Sequence, residues 1–370
     1  MKGSGGEGKR TAQCTGGSPP RQTDRVANAA PGGDNAPMNA NAPPPYATLT
    51  PDSMFDALAC AGFDCDGRFI ALNSYENRVY LVYREDAPAL VAKFYRPGRW
   101  TDRAILEEHA FTAELAEREI PVVAPIRAEG GATLHHHEDH RFAVYPRCPG
   151  RAPDLESADV LQWMGRFIGR IHAVGALREF TDRPPIDVET FGIQSRDFLL
   201  GNGFIPVSLT DSWRAAADMA IAAAQKAFER AGGVRMLRLH GDCHAGNVLW
   251  SEGAERGPHF VDFDDARMGP AVQDLWMLLS GERASMEQQL GEVLSGYEDF
   301  AEFDDRELLL LEPLRTLRLI HYSAWLARRW NDPAFPAAFP WFNTERYWQD
   351  RILEMKEQIA LMDEPPLRPA

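Results

Sequence analysis

Several features are missing from this 370-residue chain, and each absence narrows what it can be. No apolar run approaches the roughly 20 residues that a membrane-spanning helix needs. No apolar h-region follows the N-terminus, so no signal peptide is expected. The five cysteines (Cys14, Cys60, Cys65, Cys148 and Cys243) are odd in number and lack zinc-ligand spacing, which reads as reduced thiols in a cytoplasmic protein. Positive charge is also short: the net charge of −15 argues against a general binder of nucleic acid or anionic membrane. What remains is ordinary globular composition, 44% hydrophobic and 25% charged, enough for one large or two modest domains.

Residues 1–45 contain fifteen Gly or Pro, five basic and three acidic residues, and almost no large apolar side chain. Such a segment cannot bury enough surface to offset its ordering entropy, so a disordered tail is expected. Folding should begin near Tyr46. Asp52 is a plausible N-cap of a first helix. Residues 68–72, Arg78–Tyr83 and Leu90–Tyr95 read as strands, with Asn73-Ser74-Tyr75-Glu76-Asn77 as a polar turn. A helix over about Thr101–Glu117 and two strands within 132–146 follow, with His135-His136-His137 read as a loop tip. Residues 146–150, rich in Pro and Gly, mark the boundary to a helical second half. There, Val160, Met164, Phe167, Ile168 and Ile171 share one helical stripe, and Trp213–Arg230 is an Ala-rich helix stopped by Gly232-Gly233. Residues 306–330 and 344–361 give two further helices. Trp325, Trp330, Trp341 and Trp348 are packing residues or a cleft wall.

The polar density concentrates in His240-Gly241-Asp242-Cys243-His244-Ala245-Gly246-Asn247, followed by Val261-Asp262-Phe263-Asp264-Asp265. Strand-like runs flank both stretches, and a hairpin from Val248 to Val261 would set Asn247 beside Asp262. Asn247 and Asp262 offer hard oxygen ligands suited to Mg²⁺. Asp242, five residues before Asn247, is then left to accept the proton of an attacking hydroxyl. The layout parallels a protein-kinase catalytic loop and its metal-binding aspartate, so phosphoryl transfer is the reading. A rival reading places zinc on His240, Asp242 and His244. It leaves Asn247, Asp262 and Lys93 without roles, and the histidines read better as loop-shaping groups.

These strings resemble the aminoglycoside-phosphotransferase-like branch of the protein-kinase superfamily. Leu72 to Tyr80, Lys93-Phe94-Tyr95-Arg96-Pro97 and Gly269 to Trp276 narrow the resemblance to its bacterial stress-response serine/threonine kinases, from about Tyr46 to the C-terminus. The resemblance implies an α+β, bilobal fold. An antiparallel-sheet N-lobe would span residues 46–148 and a mainly helical C-lobe residues 149–370. It implies ATP as co-substrate, with Lys93 on the phosphates and Glu108, or its neighbour Glu107, pairing with Lys93. Ser74 would touch the phosphates, Asn247 and Asp262 would hold Mg²⁺, and Asp242 with Asp262 would be catalytic. The Phe142–Gly150 stretch would meet adenine, and Asp274 would brace the catalytic loop. The sequence departs from eukaryotic kinases in having no G-x-G-x-x-G; Ser74 and backbone N–H groups would take its place.

The implied activity is transfer of the γ-phosphoryl group to protein serine or threonine in a stress response, by a cytoplasmic monomer with no nucleic-acid or membrane partner. A small-molecule kinase acting on an amino alcohol or aminoglycoside is the main alternative, and an acidic cleft in the helical lobe would favour it. A catalytically dead nucleotide-binding regulator is the third reading; the presence of both Asp242 and Asp262 speaks against it.

Overall fold

The structure is a computed structural model, and it describes residues 44–252 and 257–370. The expected disorder of residues 1–45 falls almost wholly outside them. Helix α1 (Pro51–Cys60) opens on a capping box. Ser53 N donates to Thr50 Oγ1 at 3.2 Å, and Thr50 N donates to Ser53 Oγ at 2.9 Å. The cap is therefore Thr50, not Asp52. Pro51 fits the first helical position because it has no N–H to satisfy there.

Strands β1 (Phe69–Ala71), β2 (Arg78–Arg84) and β3 (Ala87–Phe94) follow. After helix α2 (Asp102–Glu117) come β4 (His135–His137) and β5 (His140–Pro146). All five pair antiparallel in the order β1-β2-β3-β5-β4. The three histidines are not a loop tip. They form edge strand β4, and the turn falls on Glu138, which takes the left-handed conformation. Strand alternation divides the sheet between two tasks. Leu90, Ala92, Phe94, Phe142 and Val144 pack against Met54 and Leu58 of α1. Val91, Lys93 and Tyr145 point the other way and line a cleft.

The second half is mainly helical. It contains α3 (Ala158–Gly175), α4 (Gln194–Gly201), α5 (Thr210–Ala231), α6 (Val272–Trp276), α7 (Arg283–Tyr297), α8 (Leu311–Arg328), α9 (Ala334–Ala338) and α10 (Glu345–Asp363). Two short antiparallel ribbons carry the central loops. One pairs β6 (Leu237–Arg238) with β9 (Met268–Gly269), and the other pairs β7 (Val248–Ser251) with β8 (Gly257–Phe260). The stripe on α3 is core, as its period requires. Trp348 packs edge-on against Trp213 at 6.0 Å and is fully buried, whereas Trp325 faces the cleft. Helix α2 belongs to both halves. Ala104 and Ile105 pack beneath the sheet, while Phe111 and Leu115 join the helical core.

Helix α7 has no counterpart among the sequence-based elements. It docks closely on α3 because glycines face the contact: a Cβ on Gly165 would lie 2.0 Å from Val293 O, and one on Gly296 2.0 Å from Gln162 O. The obstacle is backbone, which cannot swing aside. Gly165→Ala should therefore destabilise the fold by about 1–3 kcal/mol, the usual cost of overpacking. Gly130→Ala, with nothing within 4 Å of its Cβ, serves as control. Urea midpoints test this, and equal midpoints for the two variants would refute the tight α3–α7 contact.

Candidate active site

The loop over residues 240–247 hangs between β6 and β7. Asp274, on α6, holds its start. Its Oδ2 accepts from His240 N at 2.8 Å and its Oδ1 from Gly241 N at 2.9 Å. His172 Nε2 lies 3.0 Å from the same Oδ2, and His172 Nδ1 lies 3.0 Å from the Tyr297 hydroxyl. Gln273 Nε2 donates to Gly241 O at 3.1 Å. Asp274 is almost fully buried, so it does more than stabilise the first turn of a helix. Gly241 is obligatory here: its φ is +85° and a Cβ would meet Asp265 O at 2.1 Å.

The loop histidines shape the backbone. His240 Nε2 bonds Val261 O at 2.9 Å, and His244 Nδ1 accepts from Gly246 N at 2.9 Å. Cys243 is buried filler, and burial pushes its thiol well up. Asn247 Nδ2 donates to Asp242 O at 2.9 Å and reaches Asp242 Oδ2 at 3.4 Å. That fixes the amide, leaving its oxygen as the end available to a ligand. Val261 N donates to Asn247 O at 3.0 Å, so the β7–β8 hairpin brings Asn247 next to the strand that ends at Asp262.

Asp262 stands at φ 60°, ψ 61°, a left-handed conformation uncommon for an aspartate and often kept at functional sites. Its side chain is about half exposed, toward the cleft. Asp242 faces the same space. Burial raises its carboxyl, but His244 and Arg318 pull it further down, well below the usual carboxylate range. Arg318 Nη2 sits 2.7 Å from Asp242 Oδ1, yet out of alignment, so this buried oxygen has no hydrogen-bond donor.

Lys93 reaches in from β3, opposite Val79 on one side and Ala143 on the other. Its Nζ lies 2.9 Å from Asp262 Oδ1 and 3.2 Å from Asp264 Oδ1. Burial works against its charge, but those two carboxylates outweigh it and hold the ammonium well above the usual lysine range. The expected ion pair between Lys93 and Glu108 is not made. Glu108 Oε2 instead accepts from Arg183 Nη2 at 3.1 Å. Arg183 is fully buried and also donates to Ala104 O, Asp264 O and Ala266 O, tying α2 to the segment after Asp262. Among the described residues Glu108 is the only carboxylate paired with it, whereas Lys93 already has two partners. Glu108 does line the cleft, and burial pushes its carboxyl up to about 7 against the pull of Lys93 and Arg183. Glu107 turns away and caps the chain at Thr181 and Asp182.

Ser74 lines the cleft on a loop pinned at its C-terminal end. Asn77 accepts from Arg96 N at 3.0 Å and donates to Asp264 Oδ2 at 3.1 Å. Glu76 Oε2 accepts from Trp325 Nε1 at 2.7 Å and lies 2.6 Å from Arg329 Nε. The Tyr75 ring meets Phe339 edge-on at 4.9 Å. The resulting cleft, about 910 Å³, brings Ser74, Lys93, Glu108, Asp242, Asn247 and Asp262 together.

A family model described as a phosphotransferase enzyme family matches residues 68–311. The stress response kinase A of Escherichia coli (strain K12) is 46% identical over 323 residues, covering 87% of this chain and 96% of that protein. The chain belongs to the phosphotransferase enzyme family, in its stress response kinase A branch. A relative from Salmonella typhimurium (strain LT2), 44% identical over the same shares, is named serine/threonine protein kinase RdoA. Two solved structures share the fold. The amicoumacin kinase hAmiN in complex with AMP-PNP, Ca²⁺ and Ami has a TM-score of 0.63 at 20% identity, over 82% of this chain and 90% of that one. The microcompartment-associated aminopropanol kinase has a TM-score of 0.61 at 19% identity, over 84% and 96%. The chain is thus a transferase with a bilobal, kinase-like α+β fold.

Sequence reasoning gave no role to four groups around this site: Arg99 and Arg183, which it did not single out, and Asp264 and Asp265, which it saw only as part of the acidic run. Arg99 binds Asp264 through Nη1 and Asp265 through Nη2, the latter at 2.6 Å. Burial raises the Asp264 carboxyl, but Lys93 and Arg99 offset this and bring it to about 2. A carboxylate held below its usual value stabilises the fold above that usual value, near pH 4, and loses this as pH falls toward 2. Asp264→Asn leaves two buried cations undercompensated, so it should cost about 3–5 kcal/mol at pH 7. The gap from wild type should narrow below pH 4. Denaturant titrations between pH 7 and 3 measure both; a gap that widens on acidification would contradict the assignment.

Proposed function

We propose that the chain is an ATP-dependent serine/threonine protein kinase that uses Mg²⁺. The observation that carries phosphoryl transfer is the convergence of Asp242, Asn247, Asp262 and Lys93 in one cleft. Asp262 and the oriented amide oxygen of Asn247 are hard donors that would hold the metal. When bound, Mg²⁺ supplies charge neutralisation on the phosphates. Lys93, anchored between Asp262 and Asp264, positions the phosphates, and Ser74 with nearby backbone N–H groups contacts them. The acceptor hydroxyl donates to Asp242 Oδ1, the buried oxygen without a donor. Its oxygen attacks the γ-phosphorus, the bond to the β-phosphate bridging oxygen breaks, and Asp242 takes the proton as ADP leaves.

The acceptor assignment draws on the names of the relatives and on the cleft itself. A cationic amine acceptor needs an uncommitted carboxylate. Among the described residues lining the cleft, Glu76 is taken by Arg329, Glu108 by Arg183, and Asp264 and Asp265 by Arg99. Asp242 and Asp262 are used by the chemistry. A role in stress survival follows the same relatives. No described helix is long and apolar enough to cross a membrane. Cys65 and Cys243 are free thiols, which supports a cytoplasmic setting.

The test is labelled ATP with Mg²⁺ and a mixed serine/threonine peptide pool. It is run with wild type, Asp242→Ala and Asp262→Ala, each shown to be folded by circular dichroism. Peptide label should fall by about 10²–10⁴ in the Asp242 variant, the usual worth of a catalytic base. Asp262→Ala should likewise lose transfer. Undiminished labelling by either variant would sink the mechanism, and label confined to added amino alcohols would move the acceptor away from protein.

A further inference from the structure

Helix α8 forms the wall of the cleft that faces the catalytic loop. Arg318, His321, Tyr322 and Trp325 all reach the cavity from it, at the i, i+3, i+4, i+7 spacing of one helical face. Three of the four are locked by neighbours. His321 stacks on Phe191 with centroids 3.9 Å apart and approaches Ser195 Oγ at 3.3 Å. Tyr322 and Trp325 stack at 5.6 Å with rings 9° from parallel, and Trp325 is hydrogen-bonded to Glu76. Arg318 differs. Its side chain is one-third exposed, and its guanidinium rests beside Asp242 without an aligned hydrogen bond to the near oxygen.

A guanidinium recognises a carboxylate best through two parallel N–H···O bonds, which this contact does not supply. An acceptor that brings its own carboxylate can give Arg318 that geometry. The exchange keeps the charge balanced, because Arg318 leaves one carboxylate for another while Asp242 Oδ1 gains the acceptor hydroxyl as donor. A basic group in the same place would meet the Arg318 charge, and the charges of both Arg318 and Arg351 of α10 are felt at Tyr322 on the same wall. Glu354 is already paired with Arg351, and the cleft carboxylates are committed elsewhere. The net charge of −15 repels an acidic acceptor at long range, but screening confines that to about 8 Å at physiological salt. Recognition is therefore a short-range matter for Arg318.

We infer that Arg318 is a specificity residue that reads an acidic side chain flanking the serine or threonine to be phosphorylated, and in doing so releases Asp242 to the acceptor hydroxyl. This rests on the protein-kinase reading above. It also makes Arg318 a guard: while no acidic acceptor is bound, the guanidinium stays on the catalytic carboxylate.

Three peptides carrying one serine flanked by Glu, Gln or Lys provide the test, with full-length wild type, Arg318→Gln and Arg318→Lys. Thermal midpoints establish that the variants are folded. Wild type should favour the Glu peptide over the Gln peptide by about tenfold in kcat/KM, a conservative figure for one charge-assisted hydrogen-bonded pair, and should use the Lys peptide least. The Glu-to-Gln ratio should fall to about one in Arg318→Gln and be kept in part by Arg318→Lys. The difference should lie mainly in KM for the acidic peptide. A ratio unchanged in Arg318→Gln, or wild-type preference for the Lys peptide, would overturn this inference and leave the protein-kinase reading standing. No phosphorylation of any peptide, beside labelling of a non-peptide hydroxyl compound, would overturn both.

Discussion

The buried charge cluster around Asp264 is the constraint on which the rest of the site depends. Lys93 from β3, Arg99 from the loop before α2, and Arg183 from the loop after α3 meet Asp262, Asp264, Asp265 and Glu108. Each group pays heavily to leave water, and an apolar cluster of the same shape would serve stability as well. What the apolar version lacks is direction. Charge-assisted hydrogen bonds fix distance and angle together, so the cluster sets the sheet half against the segment carrying Asp262. Because α2 contributes to both cores, the same contacts also set the depth at which Glu108 enters the cleft.

A second set of ties holds the loop that carries Ser74. Glu76 reaches Trp325 and Arg329, while Arg96 lies 2.8 Å from Asp332, two residues before α9, with Arg78 at 3.4 Å. A glycine-rich loop approaches phosphate closely because it has no side chains in the way. This loop takes the opposite course. Its side chains are committed to the helical half, which holds Ser74 in place by anchoring its neighbours. The loop that carries Ser74 and the α8 wall are thereby joined directly, through Glu76, Trp325 and Arg329.

How much was legible in the sequence follows from the range of each contact. Asp242, Asn247 and Asp262 could be placed because their geometry is local: a fixed five-residue spacing and a hairpin. Lys93 was legible as a lone cation in an apolar strand, with its role supplied by the family resemblance; its direction, away from the α1 face, is seen only in the fold. The partner of Glu108 was not readable. Arg183 lies 75 residues away in an aperiodic Pro-rich loop, where nothing in the pattern marks a buried cation. Asp264 was seen only as part of an acidic run, and its burial by Lys93 and Arg99 is wholly tertiary. Helix α7 escaped because Gly291 and Gly296 lower its helix propensity, although glycine at position 296 is what lets α3 approach. The histidine run was misplaced because a three-residue edge strand is decided by its partner β5, not by its own composition.

The left-handed backbone at Asp262 links these threads. An aspartate there is strained, and the strain persists only where the surroundings determine the conformation. Upstream, the β7–β8 hairpin and the Val261–Asn247 hydrogen bond fix where the strand ends. Downstream, Asp264 is fixed by Lys93, Arg99 and Asn77, and the backbone carbonyls of Asp264 and Ala266 are held by Arg183. The Asp262 carboxylate is turned out toward the cleft instead of in toward the core. Arg99 and Arg183 thus act one step removed from Asp262: they hold the segment around Asp264 that follows it.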